Sequence, residues 1–457
     1  MRSTLLAAAT LLAAVALLPA ARPIPALPTR QLEALVDDLH ARRLFDGAVV
    51  VGNDEAIFAT GVGEADVARH IPFTPDTPTD GASLAKTFTA ALVLGLAADG
   101  ALDLDAPAQR LLPELPYPEI TIRHLLSHSS GIAVADYDYF DPYIPQGQVR
   151  TTETLLRVLA DRAPALTSPP GTAFEYSSFG YDLAALAAAR AARTSYADLL
   201  ITRLFRPLAM TTAFVRPARL SEMPAPRTLA YRRVATRLER NDVFDLEGFH
   251  GGSNVYISAR DLHRWNSSFL RSPVLPPAVL ARSLDPATVN GGSSGLTLGS
   301  WYRSPDRGAF WYSGHLQGFH SEIFRNISAN VSIVYVSNNT IEPWLQKGLV
   351  RAIAAVLDGR TPPRLVAPAS GTMRPEERPL LAGHWLVPHG DVVISNSGTT
   401  VSVERDGIRY RMIPISPAAF YVPGLDVVLG FAKGPDGAIS KIHVDSNIDE
   451  QWGSRRP

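Results

Sequence analysis

Asp80-Gly81-Ala82-Ser83-Leu84-Ala85-Lys86-Thr87-Phe88-Thr89-Ala90 opens an apolar run that continues to Ala97. The run reads as a helix, and residues three apart share one face of a helix, so the Ser83 hydroxyl and the Lys86 amine can meet. A serine is a poor nucleophile until a neighbouring base takes its proton, and a lysine partly withdrawn from water can be neutral enough to serve. Backbone N–H groups at the start of the helix favour negative charge developing beside Ser83. The plain alternative is an N-capping serine and a surface lysine. S-x-x-K alone does not separate the two.

Segments further along agree in order and spacing. They are Ile120-Thr121-Ile122-Arg123-His124-Leu125-Leu126-Ser127-His128-Ser129-Ser130-Gly131-Ile132, then Pro169-Pro170-Gly171-Thr172-Ala173-Phe174-Glu175-Tyr176-Ser177-Ser178, then Arg206-Pro207-Leu208-Ala209-Met210-Thr211-Thr212, and finally Gly251-Gly252-Ser253 with Ser258-Ala259-Arg260-Asp261-Leu262. Together with Ser83 to Lys86 they resemble the serine β-lactamase and penicillin-binding protein family, in which S-x-x-K is the acylating motif. The resemblance covers roughly Phe45 to Leu357. It implies an α/β (α+β) fold, an antiparallel sheet flanked by helices with an all-helical subdomain, and a Ser83 acyl-enzyme formed without metal or cofactor. It also implies that Tyr176 is the second proton-handling group, for which a cation such as Lys86 must lie beside the phenol. The oxyanion hole would be the backbone N–H groups of Ser83 and His315, with Gly314 allowing close approach.

Two departures bear on substrate. The Asn usual in the Y-x-N element is Ser178 here, which has no amide to offer. Where the third motif normally carries Lys or His, the aligned residues are Tyr312-Ser313-Gly314, so the cation that would pair with a substrate carboxylate is missing. Ser178, Tyr312, Ser313 and Gly314 are the expected substrate-binding positions, and the His315 side chain is a candidate compensating group.

The organisation of the chain fits this reading. Leu32, Leu35, Val36 and Leu39 recur at helical spacing within Arg30 to Phe45. Gly47 to Val51 and Ala56 to Val62 read as a hairpin across Gly52-Asn53-Asp54-Glu55. The region from Ser83 to Val215 alternates Ala/Leu-rich helical runs with Pro- and Gly-marked loops. Phe310 to Gly314, Gly318 to Asn326 and Val331 to Ser337 read as strands, and Trp344 to Leu357 as a helix. Strands at both ends of a helical middle predict one shared sheet. Beyond a Pro-rich linker, residues 361–379, short alternating strands such as Asp391 to Ser395, Thr399 to Arg405 and Asp426 to Phe431 predict a small C-terminal all-β, barrel-like domain at 380–457.

Arg2, an apolar run from Leu5 to Leu18 and the small residues Ala20 and Ala21 have the order of an export signal at 1–21, ahead of a hydrolase domain at 22–360. Periplasmic or secreted location follows as an expectation. No later stretch reaches the roughly 20 apolar residues of a spanning helix. Lys+Arg 43 against Asp+Glu 44 leaves no basic excess for nucleic acid or an anionic membrane. With Cys 0, thiol nucleophiles, thiolate metal sites and disulfides are excluded together. His124, His128, His315 and His320 have no metal-ligand spacing, and most of them read as surface or satisfied polar residues. Gly291-Gly292-Ser293-Ser294-Gly295 formally fits the G-x-S-x-G elbow of another hydrolase fold, but no apolar strand precedes it, and it reads as a flexible loop.

The expected function is hydrolysis of a small acyl substrate, an ester or a small amide, through Ser83. A penicillin-binding cell-wall peptidase or β-lactamase, and a non-catalytic exported binding protein with a degraded site, remain as alternatives. Oligomeric state is not legible.

Overall fold

The protein is described by a computed structural model over residues 27–456, apart from 54–56, 133–136, 235–236, 272–274, 305, 307, 340, 367–374, 388–389, 398–399, 417, 435 and 448–449. The expected export signal, most of the 361–379 linker and the tip of the first hairpin lie outside the described residues.

The first helix, Thr29–Ala41, buries Leu32, Val36 and Leu39. It stops short of Phe45, because Arg43 turns left-handed at a φ of 60° and carries the chain into the first strand. That strand, Gly47–Gly52, is buried along its whole length, as befits a strand covered on both faces. It pairs with Ile57–Val62 on one side and with Val331–Ser337 on the other, so Val49 lies opposite both Thr60 and Tyr335. The predicted union of the chain's two ends in one sheet is therefore present. The eight-stranded sheet runs, in order, Pro286–Val289, Gly292–Thr297, Tyr302–Arg303, Ala309–Leu316, Phe319–Asn326, Val331–Ser337, Gly47–Gly52 and Ile57–Val62. Helix Ala259–Arg271 packs across its centre, and Thr29–Ala41 packs against Ile57–Val62 and against helix Pro343–Leu357.

The helical region sits on this sheet. Helix Ala85–Ala98, which follows Ser83, is Ala/Leu-rich on every side and almost wholly buried, the signature of a core helix. It packs against helices Ser178–Ala192 and Pro277–Ser283. The Phe88 ring meets Trp265 at 4.9 Å and Phe205 at 5.8 Å between centroids. The nucleophile's helix is thus packed among helices, while the turn ahead of it, Ala82–Leu84, lies against strands Ala309–Leu316 and Phe319–Asn326.

The Gly291–Gly295 stretch is not a loop. Gly292–Thr297 is a strand that pairs back on Pro286–Val289, with Val289 opposite Gly292. The two residues between, Asn290 and Gly291, both have positive φ, 50° and 75°. Asn-Gly in that conformation closes a two-residue hairpin whose twist suits the strands it joins. Ser294 is buried and Ser293 exposed, and neither stands on a strand-to-helix elbow.

After a 3-10 segment, Pro375–Leu381, eight antiparallel strands from Gly383–Val387 to Glu450–Arg455 close into a barrel. Closure runs through Trp385 opposite Arg455, and removes every sheet edge. Alternate residues fill the interior: Trp385, Ile394, Val403, Phe420 and Ile442 are buried, and Trp385 meets Phe431 edge-on at 5.3 Å.

Candidate active site

Ser83 stands on a 3-10 turn, Ala82–Leu84, that runs directly into helix Ala85–Ala98. Ala82 is left-handed at a φ of 50°, a conformation that costs an alanine about 1 kcal/mol. Asp80 holds it there: its Oδ1 accepts the Ala82 N–H at 2.8 Å. Burial pushes the Asp80 carboxyl up to about 6, against the pull of Arg216. Ser83 itself is half-buried, so a substrate can reach it.

Lys86, one turn on, is fully buried. It donates to Ser83 Oγ at 3.2 Å, to Ser178 Oγ at 3.0 Å and to the Gly252 carbonyl at 2.8 Å. These three oxygens surround the amine and fix its position beside Ser83. Gly252 is a required glycine: a Cβ there would lie 2.7 Å from the Ser178 carbonyl oxygen. Asp182 fixes it by accepting the Gly252 N–H at 2.8 Å.

Tyr176 comes from the loop before helix Ser178–Ala192, whose N-cap, Ser177, accepts the Gly180 N–H at 3.0 Å. The Tyr176 hydroxyl is hydrogen-bonded to Ser83 Oγ at 3.1 Å and to the Tyr312 hydroxyl at 3.2 Å. Lys86 Nζ lies 4.9 Å from the centre of its ring. Burial opposes ionisation of this phenol, but the Lys86 charge and the hydrogen bonds of Ser83, Tyr312 and Lys86 outweigh it and bring the pKa below the usual 10.0. Tyr312 behaves oppositely: burial, then the neighbouring phenols Tyr176, Tyr302 and Tyr181, push it well above that value. Tyr312 therefore keeps its proton and donates to Tyr176.

Ser83, Lys86, Tyr176, Ser178 and Tyr312 thus converge, and Gly314 lets the third-motif strand, Ala309–Leu316, approach. A Cβ on Gly314 would lie 2.2 Å from the Gly81 carbonyl oxygen and 3.1 Å from Ser83 N. Two side-chain expectations need correction. The two-residue period of the strand turns Ser313 and His315 to its opposite face. Ser313 Oγ donates to Asp426 Oδ1 at 3.3 Å, and His315 Nε2 pairs with the Gln346 amide. Burial holds His315 down at about 4. The His315 ring is no substitute for the missing cation. Lys347 does not fill that gap either, since it is buried behind the strand against Asp426.

His128, which nothing in the sequence sets apart from an ordinary polar residue, is part of the site's wall. Its ring stacks on Tyr176 at 4.5 Å, and its Nδ1 accepts the Ser177 N–H at 3.0 Å. Burial, then the Lys86 charge, holds it neutral, well below the usual imidazole value. The segment holding it and the Gly251-Gly252 pair were both visible in sequence, but their partners lie far off along the chain. Beside Tyr176 a cavity of about 910 Å³ extends between the 167–176 loop and the barrel, where Phe174, Glu175, Ser402, Tyr410 and Arg411 line it.

The Beta-lactamase family model matches residues 32–358. Penicillin-binding protein 4* of Bacillus subtilis is 24% identical over 443 residues, covering 92% of this chain and 98% of that protein. The structure of the octameric penicillin-binding protein homologue from Pyrococcus abyssi aligns with a TM-score of 0.63 and 19% identity over 94% of this chain and 100% of that one. A D-stereospecific amidohydrolase from Streptomyces aligns with a TM-score of 0.55 and 21% identity over 68% of this chain and 94% of that one. With the family model matched over residues 32–358 and the sheet and helices of that region in place, the chain belongs to the β-lactamase family and is a serine hydrolase of the β-lactamase-related kind.

Proposed function

We propose that the protein is an exported acyl-enzyme hydrolase of esters or small amides, D-aminoacyl amides among them, rather than a true β-lactamase. The observation that carries it is the position of Ser83 Oγ, between the Lys86 ammonium at 3.2 Å and the Tyr176 hydroxyl at 3.1 Å. Tyr176, its pKa lowered and Lys86 beside it, takes the proton as Ser83 Oγ attacks the substrate carbonyl. The N–H groups of Ser83 and His315 face the oxyanion. Tyr176 then passes the proton to the departing alcohol or amine as the carbonyl's bond to it breaks. A water attacks the acyl-enzyme, Tyr176 takes the water's proton, and Ser83 regains a proton as the acid leaves.

Substrate preference follows from Tyr312 and Ser178. A phenol on the third-motif strand offers a substrate carboxylate no charge, and Ser178 is engaged with Lys86. Penicillins and peptides ending in free D-Ala lose an ion pair that esters and amides never use. The cavity between loop and barrel leaves room for a bulky acyl or leaving group. The likeness to a D-stereospecific amidohydrolase supports the amide half of the proposal. A second reading, a penicillin-sensitive peptidase, is favoured by the likeness to penicillin-binding protein 4* over 98% of that protein. Rates for a panel of chromogenic esters, D-aminoacyl anilides and nitrocefin decide between them. Turnover of esters or anilides with slow or no opening of nitrocefin is expected, and nitrocefin as the best substrate would overturn the proposal. The order Arg2, Leu5 to Leu18, Ala20 and Ala21 supports export, and N-terminal sequencing of the mature protein checks it.

A further inference from the structure

The barrel sends one carboxylate into the hydrolase sheet. Asp426, in the turn between barrel strands Ala419–Val422 and Val427–Lys433, is fully buried. Its Oδ2 accepts from Trp311 Nε1 at 2.7 Å and from the Lys347 ammonium, and its Oδ1 accepts from the Tyr421 hydroxyl at 2.8 Å and Ser313 Oγ at 3.3 Å. Asn447 Nδ2 lies 3.5 Å from Oδ2. The charges around it resolve simply. Glu322, on the adjacent strand, is pushed well above the usual carboxyl value by burial, with Lys347 pulling it down and Asp426 pushing it further up. Lys347 and Asp426 form a fully buried ion pair, so the turn is anchored by a charged contact as well as by neutral hydrogen bonds. His315, held neutral, and Tyr421, held protonated, complete the surroundings.

Trp311 and Ser313 flank Tyr312 on the third-motif strand. Their side chains point one way, to Asp426, and that of Tyr312 points the other, to Tyr176. The Tyr302 hydroxyl, whose ring stacks on Tyr312 at 5.4 Å, donates to the Pro423 carbonyl of the same barrel turn. The turn therefore grips the strand on both sides of the one residue that hydrogen-bonds Tyr176, and just ahead of the His315 N–H. We infer that Asp426 is a positioning residue of the hydrolase site, through which the C-terminal barrel sets where Tyr312 and the oxyanion-facing backbone stand relative to Ser83. This rests on the hydrolase reading above. The barrel is then a working part of the active centre.

The full-length protein tests it with the paired change Trp311→Phe with Ser313→Ala, which removes both links to the strand and leaves the Asp426–Lys347 pair intact. Because a displaced Tyr312 no longer donates to Tyr176, kcat for a chromogenic ester should fall about 100-fold, the cost of a displacement of about 1 Å. KM should change little, and the acid limb of the kcat profile should move to higher pH, since Lys86, His128 and Tyr181 still face Tyr176 and only the Tyr312 bond is lost. Restoring a hydroxyl with Ser313→Thr in the Trp311→Phe background should recover part of the rate and move the limb back. Asp426→Asn with Lys347→Met, which removes the charge pair as a unit, should reproduce the displaced limb. An unchanged kcat and pH profile, or a loss confined to thermal stability, would overturn the inference. Ester hydrolysis and Ser83 labelling by a fluorophosphonate in the wild-type protein are measured alongside. If these are absent it is the hydrolase reading that fails, whatever the variants do.

Discussion

Ser83, Lys86 and Tyr176 carry the account at the scale of single residues, and each has a distinct signature. Tyr176→Phe keeps the ring on His128 and removes the proton carrier, so kcat for an ester should fall about 100- to 10,000-fold, the range of one general base. Steady-state rates check this against unchanged folding by circular dichroism. Lys86→Met removes the cation that lowers Tyr176, and the remaining activity should rise toward alkaline pH as the phenol returns to or above its usual value. A pH profile unshifted in that variant would contradict the assignment of roles. Asp80 gives a stability prediction. Its carboxyl sits at about 6 in the fold against 3.8 unfolded, so between those values the native state binds the extra proton. Stability from this group is full below about pH 4 and is lost as pH rises through 6, by about 3 kcal/mol for a shift of this size. Asp80→Asn keeps an acceptor for the Ala82 N–H and should flatten that fall in urea unfolding, whatever its absolute stability. The nucleophile, the lysine and the tyrosine were legible because their motifs are local. His128, Asp182 and Gly252 were not, because what gives them a role is contact with residues far off in the chain.

Among the elements, the helix of Ser83 and the strand of Gly314 must nearly touch. Gly314→Ala places a methyl group 2.2 Å from the Gly81 carbonyl oxygen, where backbone has to move. About 1–3 kcal/mol of stability should be lost by overpacking, together with most of the activity, since the same shift moves the His315 N–H. Thermal melting and ester kinetics read the two effects separately. The strands Ala309–Leu316, Phe319–Asn326 and Val331–Ser337 were legible almost to their ends from short aromatic or β-branched stretches spaced closely along the chain. The Gly292–Thr297 strand was not, since Gly and Ser carry no strand propensity and only the Asn290-Gly291 turn and the sheet beside it impose the pairing. Alternation along Ala309–Leu316 could have placed His315 on the far face from the outset, because Tyr312 and Gly314 already claimed the near one.

For the molecule as a whole, the barrel was legible as a change from helical runs to short alternating strands, but not its closure or its hold on the sheet. Nothing in Asp426, Lys347 or Arg351 announces a partner in another part of the chain. Yet Lys347 meets Asp426, and Arg351 reaches Asp445 and Glu450, from one helix, Pro343–Leu357. Removing residues 380–457 would take away the Asp426, Asp445 and Glu450 partners of that helix and expose the sheet surface that the barrel covers. The truncated chain should fail to show a cooperative melting transition, and its near-ultraviolet circular dichroism should collapse. A stable, fully active fragment would show that the barrel is dispensable.

The central claim is that one serine, Ser83, forms the covalent intermediate. Quenching the enzyme with acid during turnover of a slow ester, then mapping the acylated peptide by mass spectrometry, tests it most directly. The account predicts the acyl mass on the peptide containing Ser83 and on no other. An acyl group on Ser293 or any other residue, or full turnover by Ser83→Ala, would contradict it.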